Sequence, residues 1–154
     1  MAIPELIPIA YLPEYRTAMI GHYDHGQFWA SLTGAYPQSF DWRTMRAQWR
    51  EHQRFYAVLH RFDHDGHHVG SDVRRAPAAG GVSEAEAEVA TWLADLPGLT
   101  YGAIAVRPFR IVVDDVVFGL IPEQYTEAGR DWERVELVPE GLSFAPPWNG
   151  IYDT

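Results

Sequence analysis

Apolar and polar positions alternate through most of this chain, and a helical period replaces the alternation in two places. Thr17–Tyr23 and Gln27–Thr33 alternate on either side of Asp24-His25-Gly26, a loop whose closing glycine suits a left-handed position, so they predict a hairpin. Phe55–Phe62 is apolar on both faces, with Phe55, Ala57 and Leu59 against Tyr56, Val58 and Phe62. That pattern predicts a strand covered on both sides. Asp63-His64-Asp65-Gly66 turns it into a second strand, His67–Arg75. Tyr101–Val113 and Val116–Ile121 predict a third hairpin around Asp114-Asp115, and Arg134–Val138 a last short strand. Pro108 cannot donate to a ladder, so it marks an edge or a bulge.

The period changes first at Trp42, Met45 and Trp49, spaced i, i+3 and i+7 after Asp41 as N-cap. This predicts a short amphipathic helix over 42–54. It changes again after Ser83-Glu84-Ala85-Glu86, a capping box that opens a longer helix. Val89, Trp92, Leu93 and Leu96 form its apolar stripe, and Pro97-Gly98 stops it. Ala76–Val82 is a loop of small residues, and the proline-rich residues 1–16 predict an extended arm. The aromatic end, with Trp148, Ile151 and Tyr152, is expected to dock. Together these elements predict a single α+β domain over 1–154. It would hold one mainly antiparallel, hairpin-built sheet of about six or seven strands, one long helix and one shorter helix.

Composition narrows the function. There is no cysteine, which removes disulfides, thiolate metal sites and a thiol nucleophile together. The net charge of −9 argues against nucleic-acid and membrane-surface partners. All 12 basic residues are arginine, so Schiff-base and P-loop lysine chemistry are excluded. The start of the chain lacks a basic region and is broken by proline and glutamate. A secretory leader is therefore not expected, and the expected compartment is the cytoplasm.

Two constellations could carry function. Arg43, Arg46, Arg50 and Arg54 fall at i, i+3, i+7 and i+11, beside Trp42 and Trp49. Arginine and tryptophan are favoured hot-spot residues, so this face predicts docking to an acidic protein partner. The competing reading is a solvated arginine face with its tryptophans in the core. The second constellation is histidine. Six of the 7 histidines sit at the two hairpin tips, His22 and His25 at the first and His60, His64, His67 and His68 at the second. With residues 63–66 as the loop, Phe62 faces His67 and His60 faces Val69. His60 and His67 then lie diagonally on one sheet face, roughly 7–8 Å apart at the backbone. Asp63 and His64 could join them around zinc or a similar divalent metal. His68 would point to the opposite face, and His22, opposite Phe28, would join the core. Turn chemistry alone is the plainer account of polar residues at hairpin tips.

Several segments together resemble a known group. They are Ile3–Ala10, Tyr15-Arg16-Thr17, Gly26-Gln27-Phe28, Tyr56–His60 with Phe62-Asp63, Tyr101-Gly102, Arg107–Arg110, Val117–Leu120, Pro147-Trp148 and Tyr152–Thr154. This set is similar to small bacterial proteins labelled formate hydrogenlyase regulatory protein-like. The Asp114-Asp115 turn departs from the group's pattern, where Asp-Gly is expected. The resemblance implies a non-enzymatic regulator that works through protein contacts, and it supplies no catalytic or ligand residues.

The first expectation is therefore a cytoplasmic, non-catalytic binding or regulatory protein with a protein partner and no cofactor. A regulator and an immunity-type inhibitor fit it equally. The alternative is a small metal-dependent or acid–base enzyme built on the His60/His67 hairpin.

Overall fold

The computed structural model describes residues 3–77 and 81–154. The strands, in chain order, are β1 (Ile7–Ile9), β2 (Ile20–Tyr23), β3 (Gly26–Ala35), β4 (Arg54–Phe62), β5 (His68–Arg75), β6 (Thr100–Tyr101), β7 (Ile104–Val106), β8 (Phe109–Val113), β9 (Val116–Glu127), β10 (Arg130–Val138) and β11 (Leu142–Phe144). The helices are α1 (Trp42–Met45), α2 (Trp49–His52) and α3 (Gly81–Ala94). The class is α+β with antiparallel pairing. The expectation of one sheet of six or seven strands is corrected: among the described residues eleven strands form three sheets, ordered β5-β4-β3-β2-β6, β11-β10-β9-β8 and β1-β7.

Burial accounts for the split. β3 and β4 have apolar residues on both faces, and each face needs its own cover. On one face Phe28, Ala30, Ala57 and Leu59 pack against Ala85 and Val89 of α3. On the other, Trp29, Tyr56, Val58 and Phe62 meet Phe118, Leu120, Val135, Leu137 and Leu142 of the four-stranded sheet, with Ile7 and Ile9 from β1. A second sheet is thus what the inner face of the first one buries itself against.

α3 starts two residues ahead of Ser83, so Ser83 lies inside its first turn rather than capping it. Residues 78–80 of the loop expected over 76–82 lie outside the described residues. Trp92, Leu93 and Leu96 pack against the α3 core as half-buried neighbours. The segment 101–113 is broken into three strands, and β8 begins one residue after Pro108.

The turns carry the register. Asp114 and Asp115 both have positive φ, 56° and 60°, which closes a two-residue hairpin with Val113 opposite Val116. The first hairpin closes on Asp24-His25 alone, with Tyr23 opposite Gly26. That one-residue difference places His22 opposite Gln27 rather than Phe28, and His22 is exposed, with Nε2 2.8 Å from the Ala103 carbonyl oxygen. The expected core role of His22 is corrected accordingly.

Candidate functional site

Two regions hold the residues singled out in the sequence. The first is the stretch from Asp41 to Arg54. Asp41 caps it as expected: its backbone is extended and its Oδ1 accepts the Arg43 N–H at 2.9 Å. A continuous helix does not follow. α1 gives way after one turn to a 3₁₀ turn over Arg46–Gln48, and α2 adds one more turn. None of the three pieces contains a buried residue. Short helices are marginal without an apolar face to pack, and this segment has none in use. The expected 42–54 amphipathic helix is therefore corrected to a broken, surface-lying segment.

Its aromatic side chains face outward. Trp42 is 50% exposed and Trp49 37%. Trp42 rests edge-on against Phe40 and Tyr36, with centroids 4.8 and 4.9 Å away. Trp49 carries the Arg50 guanidinium over its ring at 5.1 Å. Among the described residues, Arg43, Arg46 and Arg50 make no ion pair, so their charge is presented to solvent. Arg54 is not part of that face. It belongs to β4 and donates to the Asp114 carbonyl at 2.6 Å, with the Asp114 carboxylate 3.5 Å away. Asp114 also accepts from the Tyr56 hydroxyl at 2.7 Å, which, ahead of the arginine charges, holds its carboxyl below the usual range. Asp115 accepts the Ser39 N–H at 3.2 Å and the Gln38 N–H on its carbonyl at 2.6 Å. The Asp114-Asp115 turn thus fastens both ends of the segment and leaves its middle outside.

The second region is the β4–β5 hairpin. A register shift between Arg61 and Phe62 puts Phe62 opposite His68 and His60 opposite Ser71. The turn takes in His67, whose carbonyl accepts the Asp63 N–H at 2.9 Å, and a turn one residue longer than expected reverses the facing of the strand that follows. His68, expected on the far face, therefore joins His60, His67 is left at the tip, and the extra residue Val69 then brings Ser71 to the same face. His60 and His67 do not share a face site; the pair brought together is His60 and His68, with ring centroids 6.0 Å apart.

That pair is enclosed. His60 is fully buried, stacked on Trp29 at 5.3 Å, and His68 stacks on Phe109 at 4.3 Å. The Ser71 hydroxyl bridges His60 Nδ1 and His68 Nε2. Having one proton, it donates to one imidazole and accepts from the other, which ties the two tautomers together. Burial, reinforced by the neighbouring His68, pushes the His60 pKa down to about 3. Burial also lowers His68, with the Arg61 charge adding to it. Both rings are held neutral near pH 7. His60 Nε2 and Trp29 Nε1 are buried without a hydrogen-bond partner. This is a packed aromatic nest, with His60 between Trp29 and Phe109 and His68 against Phe109.

The tip is different. Asp63 Oδ1 accepts the N–H groups of Asp65 and His67, each at 2.9 Å, and its other oxygen lies 3.3 Å from His67 Nδ1. The His67 backbone N–H is the main cause of a lowered Asp63 pKa. Asp63, Asp65 and His67 offer ligand atoms within 4.8 Å of one another, a spacing compatible with a divalent cation. His64 is turned away, with Nε2 3.2 Å from the Asp24 carbonyl oxygen on the neighbouring tip. Of the four expected ligands, the structure groups Asp63 with His67, adds Asp65, and separates both from His60 and His64.

Sequence reading missed one buried acid, Glu140. It is 8% exposed, both its oxygens lack a hydrogen-bond partner, and burial pushes its pKa up to about 8. Flanked by Pro139 and Gly141, it reads as a solvated turn residue, so nothing in the pattern marks it.

The fold and these two regions define an α+β chain of antiparallel sheets with an exposed Arg/Trp segment and a histidine nest in which His60 is buried and His68 half-buried. Compared with known proteins, the chain matches no family model, no curated protein and no solved structure. No helix among the described residues is long and apolar enough to cross a membrane.

Proposed function

We propose that this protein is a non-catalytic, cytoplasmic binding protein of regulatory or inhibitory type, which docks an acidic protein partner through Trp42–His52. One observation carries the reading: a segment with two tryptophans and three arginines buries none of its residues. Leaving large aromatic surface in water is unfavourable, at about 25 cal/mol per Å² of apolar area. A partner that covers it recovers that term. Arginine and tryptophan dominate interface hot spots, and here three arginines without ion pairs among the described residues stand on a chain of net charge −9. An acidic partner gains from these three and meets least repulsion there. The resemblance to regulatory proteins points the same way. The residues that remain in this reading are Trp42, Arg43, Arg46, Trp49 and Arg50; Arg54 leaves it because Asp114 already engages it.

The test uses a partner captured from the native host, identified, and reconstituted from pure components. Arg46→Glu with Arg50→Glu should weaken the complex about tenfold or more, the equivalent of ~1.4 kcal/mol. Unchanged affinity in that double variant would remove the segment from the interface.

A second reading keeps the tip. Asp63, Asp65 and His67 lie close enough to share a zinc-like cation. The larger hollows among the described residues do not include Asp63, Asp65 or His67, so the site supports a bound ion more than an enzyme. Elemental analysis of tag-free protein tests it: stoichiometric metal lost in Asp63→Asn supports it, and a metal-free wild type removes it.

A further inference from the structure

The β9–β10 hairpin outruns its sheet on both sides. β8 pairs with β9 only as far as Leu120, and β11 pairs with β10 only over Val135–Leu137. From Ile121 through Arg134 the two strands have each other and, among the described residues, no outer neighbour. Prolines explain both stops. Pro108 precedes β8, and Pro146-Pro147 follow β11, so neither strand can extend its ladder. The chain turns away at Ala145, where the Trp148 N–H bonds back to its carbonyl at 2.9 Å, and returns so that Asp153 bridges Ser143 on the far edge of β11.

This leaves a hollow where β11 would have continued. It has a volume of about 730 Å³ and runs between Arg130–Arg134 on one wall and Pro146, Pro147, Ile151 and Tyr152 on the other. Its floor edge is a row of backbone groups with no sheet partner. An edge of this kind is a template for an added strand.

Charge selects the strand. Three acids line the hollow: Asp131, Glu133 and Asp153. Glu133 Oε2 is buried and has no hydrogen-bond partner. The two arginines on the same wall are already engaged: Arg134 donates to Glu123 at 2.6 Å, and Arg130 lies over Trp132 at 5.0 Å. A cationic side chain arriving on an extended backbone would complete both deficits, the edge and the orphaned carboxylate oxygen. We propose that the open edge of β10 at Arg130–Arg134 binds an extended cationic peptide segment of a partner protein by strand addition, with Glu133 taking a lysine or arginine. This surface is opposite in charge to Trp42–His52 and does not depend on docking there.

The experiment uses the whole protein and three fluorescein-labelled peptides of about eight residues, the length of a typical strand. One alternates lysine and threonine, one alternates glutamate and threonine, and one is the lysine peptide with alternate amides N-methylated. Anisotropy should show the lysine peptide binding about tenfold or more tighter than the glutamate peptide, and binding should vanish on N-methylation. Glu133→Gln, with an unchanged circular dichroism spectrum, should weaken the lysine peptide about tenfold. Arg46→Glu with Arg50→Glu should leave it unchanged, which separates this inference from the proposed partner site. Three results would overturn it: no binding of the lysine peptide, equal binding of the N-methylated form, or sedimentation showing that two copies of the chain already close this edge on each other.

Discussion

The β4–β5 hairpin and the Trp42–His52 segment started from similar material and ended on opposite sides of the surface. The hairpin carries histidines, polar residues that suggest chemistry, and it takes His60 and half of His68 into an aromatic nest. The segment carries tryptophans at helical spacing, a pattern that suggests burial, and it leaves both exposed. The difference lies in what each backbone is tied to. β4 is held between β3 and β5 and covered on both faces, so its middle, Tyr56 to His60, is buried whatever the residue type. The segment is fastened only at its ends by the Asp114-Asp115 turn. Side-chain polarity proposes where a residue goes; the strand or turn that anchors it decides.

The sharpest way to break this comparison is stability. His60→Ala should cost about 3 kcal/mol or more in denaturant unfolding, as a large buried side chain replaced by a small one. Trp49→Ala should cost less, about 1 kcal/mol, since Trp49 is 37% exposed and lies in a segment with no buried residue. Equal costs would mean that the segment is as much core as the nest.

Next in size is the dependence on pH. His60 is held near pKa 3 in the fold against a usual 6.5. The unfolded chain therefore takes up a proton that the fold refuses. Stability from this group is complete above about pH 6.5 and falls as pH drops toward 3, by about 1.4 kcal/mol per unit, and His68 adds in the same direction. Glu140 has the opposite sign. Its folded pKa is raised to about 8, so the unfolded chain releases a proton that the fold keeps. Its contribution is complete below about pH 4.5 and is lost as pH rises to 8, with a similar slope of about 1.4 kcal/mol per unit. A urea midpoint series should show the acid limb flattened in His60→Gln and the alkaline limb flattened in Glu140→Gln. Parallel curves for wild type and variants would contradict the burial of these two groups.

A smaller effect is expected at the tip. Asp63→Ala removes the acceptor for two backbone N–H groups and should lower the urea midpoint slightly, with the loss confined to pH values above the Asp63 carboxyl's lowered range. Smallest of all, Arg46→Glu with Arg50→Glu should shift stability by no more than about 0.5 kcal/mol, because neither arginine has an ion-pair partner to lose. A larger loss would place the arginines in the fold rather than on a docking face.

Much of the fold could be read from the residues. Both covered faces of β4, the Asp114-Asp115 hairpin and the helix over Val89 follow from period and turn chemistry. The second sheet was only half visible. In Gln124–Glu133 the large apolar residues are Tyr125 and Trp132, paired opposite each other and both exposed, so alternation gives little signal there. The site was harder. One residue more in the Asp63–His67 turn exchanged His67 for His68, and one residue fewer in the first turn moved His22 from opposite Phe28 to opposite Gln27. Period-2 patterns fix faces only up to such a slip, and nothing in Asp63–His68 announces it. The Asp41 cap was legible. The break of the helix after it was not, because helical spacing of Trp42, Met45 and Trp49 states a face without stating that anything covers it.

Footprinting of the reconstituted complex tests the central claim most directly. Hydroxyl-radical labelling should find Trp42 and Trp49 protected several-fold when the partner is bound, with Trp29, already buried, labelled slowly in both states. Trp42 and Trp49 labelled at the same rate with and without the partner would contradict the assignment of Trp42–His52 as the docking surface.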